Sequence, residues 1–589
     1  MKKLVVKFKR QWIVIAFALI CSIVVVSPHF IASVRSDGDF SDIYPTFSDD
    51  EIYYQARIAE VIRGHLEIGN AYIKEHENDP FLQPPVAEWL VAGISSCLGL
   101  SIPITTTLGD VVFSFISFLL LYLLLWRILQ IRSWAIVYTS IFFLLFIQTF
   151  GRPISPQVTS LFLFAGLGLI YSIYTKRKNL SDNSSAFHFL VGLDVGALLF
   201  ISPYYWTALA VLYFLLIIGI VWVEKTYIPT FRKVGWFLLA FLPCTLLYSY
   251  YFYRASTLPG YIDSAERFGL ITSHWPGSFT NILLGILFAV LIWLARKILS
   301  KENLVLVVSL VVSIFILNWQ NVITGQSLQF SSHYLLVTVL YGILVMAVVH
   351  RSRLDLEKEK RGKIGKKIGL ALIVVVLILG YRQQGEFRGL WTKWMYRPNQ
   401  ATIVSLRQQS DLFNWLNKNT PADSVVYTLG SDYSFLLPVY THNKVYYNFY
   451  ATLFVMPNKE TEDRWLINNI FNSQLDEKYL TENQRDFWGN RFLDSYQSRE
   501  NRRKIMSFVS QKPYLPETQI DSQSIAELLQ KFKNFKQKDI GQVLKTYQID
   551  YILLSKKYPE YEQIKKVLDT SNYAKLVVNL GGEIIYLMQ

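Results

Sequence analysis

Val86–Leu100, VAEWLVAGISSCLGL, is the segment on which the fold of this chain turns. It is apolar enough to be taken for a membrane crossing, and counting it as one reverses the orientation of every later helix. Three features argue against a crossing. The run is shorter than the roughly 20 apolar residues that cross the hydrocarbon, it carries Glu88, and it follows Pro84 and Pro85 directly. An amphipathic helix lying in the membrane interface is expected instead.

With that segment set aside, eleven apolar stretches remain as expected transmembrane helices. They are Trp12–Val34, Leu108–Leu129, Trp134–Phe150, Ile154–Thr175, Ala186–Tyr204, Trp206–Val223, Val234–Tyr253, Phe279–Leu294, Leu304–Leu317, Tyr334–His350 and Ile368–Tyr381. Lysine and arginine concentrate on the cytoplasmic side of membrane proteins. Met1–Arg10 holds five basic residues, and basic clusters recur at Arg127/Arg132, Lys176–Lys178, Lys225/Arg232/Lys233, Arg296/Lys297/Lys301 and Arg351–Lys367. Eleven crossings put all of these inside, with a cytoplasmic N-terminus and everything after Tyr381 outside. The first span is long for a signal peptide and lacks a nearby small-x-small cleavage site, so an uncleaved helix is expected.

Composition agrees. Only 17% of the 589 residues are charged and 52% are hydrophobic, where a soluble protein carries about a quarter charged. The net charge of +14 sits mostly in the short inter-helix clusters, so the bilayer, not nucleic acid, is the expected partner. Cys21, Cys97 and Cys244 all lie in apolar stretches and offer neither a disulfide framework nor a zinc site.

About 70 residues, roughly 35–107, separate the first two spans. Within them Ser48-Asp49-Asp50-Glu51 leads into Tyr54, Ile58, Val61 and Ile62, one apolar face of a helix. Ser48 or Asp49 can cap it, and acids in a first turn suit the helix dipole. These carboxylates are therefore open to two readings, a good helix start or a catalytic group. Acids close to a membrane are costly unless used, and one placed here can act as general base on an acceptor hydroxyl or amine.

Asp50-Glu51 with Tyr54 and Glu60, a turn at Gly64, then Gln83-Pro84-Pro85-Val86-Ala87-Glu88 and Leu98-Gly99, resembles the first periplasmic loop of GT-C fold glycosyltransferases. It is similar to the branch that contains aminoarabinose transferases and protein O-mannosyltransferases, over residues 12–130 and more loosely beyond. The resemblance implies a sugar donor linked to polyprenyl phosphate, with Asp50 as catalytic base. Asp49 is an adjacent competitor. It implies substrate-binding roles for Glu51, Tyr54, Arg57, Glu60, Gln83 and Glu88. Several relatives place a Lys or His before Pro-Pro, whereas this chain has the neutral Gln83, so donor phosphate must rely on other groups such as Arg57, Arg152 or Arg254.

Arg152 lies between the third and fourth spans, where its fork suits phosphate and an interfacial anchor is the competing role. The loop Asn318–His333 is rich in amides and hydroxyls, and Gln326 and His333 are candidate sugar contacts.

After about residue 382 the chain alternates helical and strand patterns. Ser424–Leu429, Lys444–Asn448, Asp550–Ser555 and Ala574–Leu580 are expected strands, and Gly581-Gly582 turns into a closing hairpin. An extracytoplasmic α/β domain over 382–589 follows. It shows no phosphate loop, metal-ligand spacing or nucleophile elbow. The expected protein is a polytopic α-helical plasma-membrane glycosyltransferase, GT-C-like over 1–381, inverting, with a polyprenyl-phosphate sugar as donor, no certain cofactor and a divalent metal left open. The rival is a non-catalytic transporter or scaffold, for which Asp194 would be the main intramembrane acid.

Overall fold

The expected spans all become helices, but not all of them are long enough to cross. The computed structural model describes residues 2–35, 43–47, 49–176, 183–225, 227–268, 271–272, 274, 279–327, 333–357, 362–397, 400–514 and 522–589. Ser48, Lys178 and the middle of Arg351–Lys367 fall outside the described residues, as does the side chain of Asp49. On the predicted spans lie α1 (Lys2–Arg35), α4 (Ile102–Leu129), α5 (Arg132–Leu145), α6 (Thr159–Lys176), α7 (Asn183–Leu199), α8 (Pro203–Glu224), α9 (Tyr227–Ser256), α11 (Phe279–Ala295), α12 (Lys301–Thr324), α13 (Tyr334–Glu357) and α14 (Gly362–Arg382). Between them come α2 (Asp49–Ile62), α3 (Val86–Leu98) and α10 (Tyr261–Arg267).

Among the described residues, 6 helices have the length and hydropathy to cross a membrane, or up to 7 if α14 and α15 (Gln384–Met395), bent by 47°, count as one span. The protein is thus a multi-pass helical membrane protein. Helix α5 has 14 residues, about 21 Å at ~1.5 Å per residue, against a hydrocarbon core of ~30 Å. One continuous apolar cluster runs from Val14 in α1 to Leu390 in α15 and holds the bundle together.

Helix α3 is 13 residues long, begins after Pro85 and ends on Gly99 at φ +63°. Ala87, Glu88, Val91, Ala92 and Ser95 are buried on one face, while Trp89, Leu90 and Leu98 stand exposed on the other. That two-sided pattern, on about 20 Å of helix, suits a membrane surface and not a crossing.

The expected span Trp134–Phe150 stops being an α-helix at Leu145, and the next helix starts only at Thr159. The intervening chain holds a single 3-10 turn, Thr149–Gly151, and borrows partners. Glu386 in α15 accepts from the Gln148 and Thr149 amides at 2.8 and 3.2 Å and from the Thr149 hydroxyl at 2.8 Å. Gln157 Nε2 donates to the Phe150 carbonyl at 3.2 Å. Non-helical backbone near a membrane persists where protein groups satisfy it. This break presents Arg152.

Strands β1 (Ile271–Thr272) and β2 (Gln326–Ser327) form a short antiparallel pair. Beyond α15, α16 (Gln400–Asn419) leads into a five-stranded sheet of β3 (Val425–Leu429), β4 (Lys444–Val445), β5 (Tyr551–Ser555), β6 (Ala574–Leu580) and β7 (Glu583–Met588). The order is β4-β3-β5-β7-β6, with β4, β3 and β5 parallel and β5-β7-β6 antiparallel. Helix α17 (Ser431–Tyr440) joins β3 to β4, and α18 (Asn458–Asn468) opens the long crossover to β5.

The sheet is not free of the first loop. Ile52, Tyr53 and Ala56 of α2, with Tyr72 and Ile73, share a core with Leu412, Val426, Leu437, Leu553 and Ile585. The Val445 amide donates to the Tyr72 carbonyl at 3.0 Å. Loop and sheet are thus one packed unit.

Candidate active site

Helix α2 carries several charged and polar groups, and its neighbours sort them into four environments. Toward α1 and α4, Glu51 lies 3.6 Å from His29 Nε2, which is also 3.6 Å from Asp110. Gln55 Nε2 donates to Thr106 Oγ1 at 3.2 Å, and Gln157 Nε2 to Asp110 Oδ1 at 2.6 Å. Glu51 Oε2 accepts from the Phe47 amide at 2.9 Å. His29 Nδ1 and Gln55 Oε1 in this buried patch have no hydrogen-bond partner.

Toward α3 the helix is sealed. Arg57 Nε meets Glu88 Oε1 at 2.6 Å with both side chains only 2% exposed. Arg57 Nη2 donates to the Gln83 carbonyl at 3.2 Å, and the Tyr53 hydroxyl to Gln83 Oε1 at 3.0 Å. Arg57, Gln83 and Glu88 therefore fasten α3 to α2. Toward the sheet, Glu60 is closed in the same way: Lys444 Nζ, Arg63 Nη1 and His65 Nδ1 stand at 2.6, 2.6 and 2.8 Å. Burial pushes the Glu60 carboxyl up, but these three groups outweigh it and hold the carboxyl at about 2.

The fourth environment is open. Asp50 pairs with an Arg152 Nη2 across the break between α5 and α6, and the side chains are 40% and 25% exposed. The Tyr54 phenol is close enough to the same guanidinium to interact with it electrostatically, while Arg152 Nε is buried without a partner. A carboxylate and a guanidinium with a donor still unspent thus lie together on accessible surface. This pair can take a proton from one group and hold an anion beside it.

The remaining candidates lie elsewhere or at the margin. His333 stacks on Tyr204 with ring centroids 4.8 Å apart, and the Tyr204 phenol is close enough to Tyr54 for the two to interact electrostatically. Gln326 is an exposed residue of β2 whose carbonyl accepts from Gln320 Nε2 at 2.9 Å. Arg254 is engaged by Glu67 at 2.7 Å. Of Asp49 the structure places only the backbone, as the first residue of α2. Among the described residues no group of three or more His, Cys, Asp and Glu side chains is arranged to hold a metal ion.

His29, Asp110, Gln157, Glu386 and Lys444 all act in or around these environments without having been singled out from sequence. Their one signal was a polar residue inside or beside an apolar run, which is too common to choose on.

No protein-family model matches the chain, and no curated protein matches it. Among solved structures, one that is similar is the crystal structure of ArnT from Cupriavidus metallidurans bound to undecaprenyl phosphate. The match covers 98% of this chain and 98% of that chain, with 11% identity and a TM-score of 0.44.

Proposed function

We propose that this protein transfers a sugar from a polyprenyl-phosphate carrier to an extracytoplasmic acceptor, at the open pair Asp50–Arg152. The observation that carries the reading is a contrast within one helix. Of the acid–base contacts on or against α2, Glu51–His29 is buried to within 9%, and Arg57–Glu88 and Glu60–Lys444 to within 2%. Only Asp50 and Arg152 combine accessible surface with an unpartnered buried donor, Arg152 Nε.

In this mechanism the Asp50 carboxylate accepts the proton of the acceptor's hydroxyl or amine. The freed electron pair attacks the anomeric carbon, and the carbon–oxygen bond to phosphate breaks. Its electron pair leaves with the polyprenyl phosphate, whose charge the part-exposed Arg152 guanidinium receives. Attack opposite the leaving group inverts the anomeric configuration. Asp49, one residue away, is the second candidate for the base. Tyr54 positions Arg152, and His333 with Tyr204 lines the approach from the α8 side.

The same reading sets eleven crossings, a cytoplasmic N-terminus, and the first loop and 382–589 outside, because the basic clusters then share one side. The shorter helices α5, α7 and α11 would cross with the irregular segments at their ends. Gln326, far from the pair in its contacts, would serve an acceptor at most.

A thermal-shift titration of the purified protein with undecaprenyl phosphate tests this. Saturable stabilisation is expected in the wild type, at least tenfold weaker in Arg152→Ala, and preserved in Asp50→Asn. No stabilisation by any polyprenyl phosphate overturns the donor assignment and returns the weight to a transporter or scaffold. Sugar transfer surviving in the double variant Asp49→Asn/Asp50→Asn overturns the base.

A further inference from the structure

The sheet carries a second site. Strand β3 is followed by α17 and then β4 on one side of it, whereas β5 is followed by the helix Tyr561–Thr570 and then β6 and β7 on the other. The two connections lie on opposite faces. Leu437 and Val439 of α17 pack with Val426 and Leu553, while Ile564 and Leu568 pack with Tyr427, Leu429, Ile552 and Leu554. Adjacent parallel strands whose connections part in this way leave a crevice at their carboxyl ends, where open α/β sheets bind ligands.

A cavity of about 480 Å³ opens there, lined by Thr428 and Gly430 at the end of β3 and by Ser555 and Lys557 at the end of β5. That volume lies in the ~300–1,000 Å³ range of small-molecule sites. Its chemistry is distinctive. Gln409, Asn468, Asn469, Asn472 and Gln474 put five amides on the wall, with Tyr479 and Tyr558 beside them. Gln409, 93% buried by its 7% exposure, keeps Oε1 without a hydrogen-bond partner, and Asn468 Oδ1 is buried and unpartnered as well. Buried polar atoms are almost always satisfied, so two unpartnered amide oxygens on residues of one cavity wall leave those side chains with hydrogen-bonding capacity that a ligand's donors can take up.

We infer that this crevice binds a saccharide unit through its hydroxyls. Amides donate and accept at once, which matches a hydroxyl's own dual capacity, and tyrosine rings offer apolar faces to a pyranose. An anion is a poorer match. Lys557 Nζ is engaged by Ser405 Oγ at 2.6 Å, and the one other charge on the wall, Glu560, is negative and accepts from Ser473 at 2.6 Å. The inference stands on the cavity alone and does not depend on the transfer reaction proposed above.

Saturation-transfer difference NMR on the full chain in nanodiscs tests it, with glucose, galactose, N-acetylglucosamine and maltose as probes. Detergents with sugar headgroups must be avoided because they present the same chemistry. At least one probe is expected to bind saturably, at least tenfold more weakly in Asn468→Leu and in Gln474→Trp, and unchanged in Asp50→Asn. Gln474 is exposed, so the tryptophan can fill the cavity mouth without touching the core, which guards against a folding artefact in the buried variant. Equal binding in wild type and Gln474→Trp, binding lost in Asp50→Asn alone, or no binding by any probe overturns the site.

Discussion

Glu60 offers the sharpest test, because sequence motif and structure give it different jobs. Its carboxylate is 1% exposed and 2.6 Å from the Lys444 ammonium, itself 0% exposed. Relative to the usual 4.5, the Glu60 carboxyl sits at about 2, burial being outweighed by Lys444, His65 and Arg63. A displacement of that size corresponds to about 3 kcal/mol, at ~1.4 kcal/mol per pH unit. Since the folded value is the lower one, the contribution is complete above pH 4.5 and is lost as pH falls through about 2. Removing one partner of a buried pair costs ~3–5 kcal/mol, which agrees. Glu60→Gln keeps the shape and removes the charge, leaving buried Lys444 with only the Glu77 carboxylate, at 3.8 Å. The amides of Lys444, Val445 and Tyr446 bond Ser424, Tyr72 and Val426, so hydrogen exchange there reports the opening directly. An opening easier by about 3 kcal/mol raises exchange roughly a hundredfold. Replacing both partners, Glu60→Leu with Lys444→Met, should recover most of the loss, because apolar side chains carry no desolvation penalty. Arg63 and His65 are 16% and 20% exposed and can turn to water. The double variant should also keep undecaprenyl phosphate stabilisation. Exchange within threefold of wild type in Glu60→Gln would refute the clamp, and loss of lipid binding in the double variant would restore Glu60 to the site.

Three further outcomes follow from the packing. His76 contacts Asp79 at 2.7 Å and Glu460 at 3.1 Å; burial lowers its pKa, but these two acids raise it from 6.5 to about 9. Its contribution is complete below pH 6.5 and is lost as pH rises through about 9, so a histidine NMR titration should give a midpoint near 9, and one near 6.5 would refute the bridge. The Arg267 guanidinium donates to Thr452, Phe454 and Met456 carbonyls, Asn458 Oδ1 and Ser264 Oγ. Arg267→Lys has three donors at most, strands buried acceptors at ~1–3 kcal/mol each, and should speed proteolysis near Met456; an unchanged digest would refute this. A Cβ at Gly192 would stand 2.2 Å from the Phe237 carbonyl oxygen of α9, whereas one at Gly168 meets nothing within 4 Å. Gly192→Ala should therefore lower the melting temperature and Gly168→Ala should not, and equal melting of the two would sink the close α7–α9 approach.

Sequence and structure part company according to how far away the deciding partner lies. The helices were legible because a span is written in its own residues: a run of about 20 apolar side chains has few other uses. The shortness of α3 was legible for the same reason, with Pro84-Pro85 before it and Gly99 at its end. The break after Leu145 was not, because Phe146, Ile147 and Phe150 keep the stretch largely apolar around Gln148 and Thr149, and the group that satisfies the broken backbone, Glu386, stands 238 residues downstream of Gln148.

The acids of α2 and α3 extend that rule from the fold to the site. Asp50, Glu51, Glu60 and Glu88 look alike in sequence, as carboxylates near a membrane that call for an explanation. Their environments differ through residues that no local pattern supplies: Lys444 reaches Glu60 across 384 positions, and Arg57 reaches Glu88 across 31. A carboxylate whose charge is already matched, with both partners buried, has its explanation in stability and none left over for chemistry. Asp50 is matched only in part, on accessible surface, by a guanidinium that keeps Nε free. Exposure of the pair, more than the presence of the acid, therefore separates the candidate base from its neighbours. The distinction has a kinetic consequence. Arg152→Lys keeps a charge beside Asp50 but loses the fork, so under the proposed mechanism it should raise the donor KM while leaving part of kcat. Arg57→Lys should instead lower the amount of folded protein and leave the KM of what remains unchanged. The opposite assignment of the two effects would move the phosphate site from the break after α5 to the seam between α2 and α3.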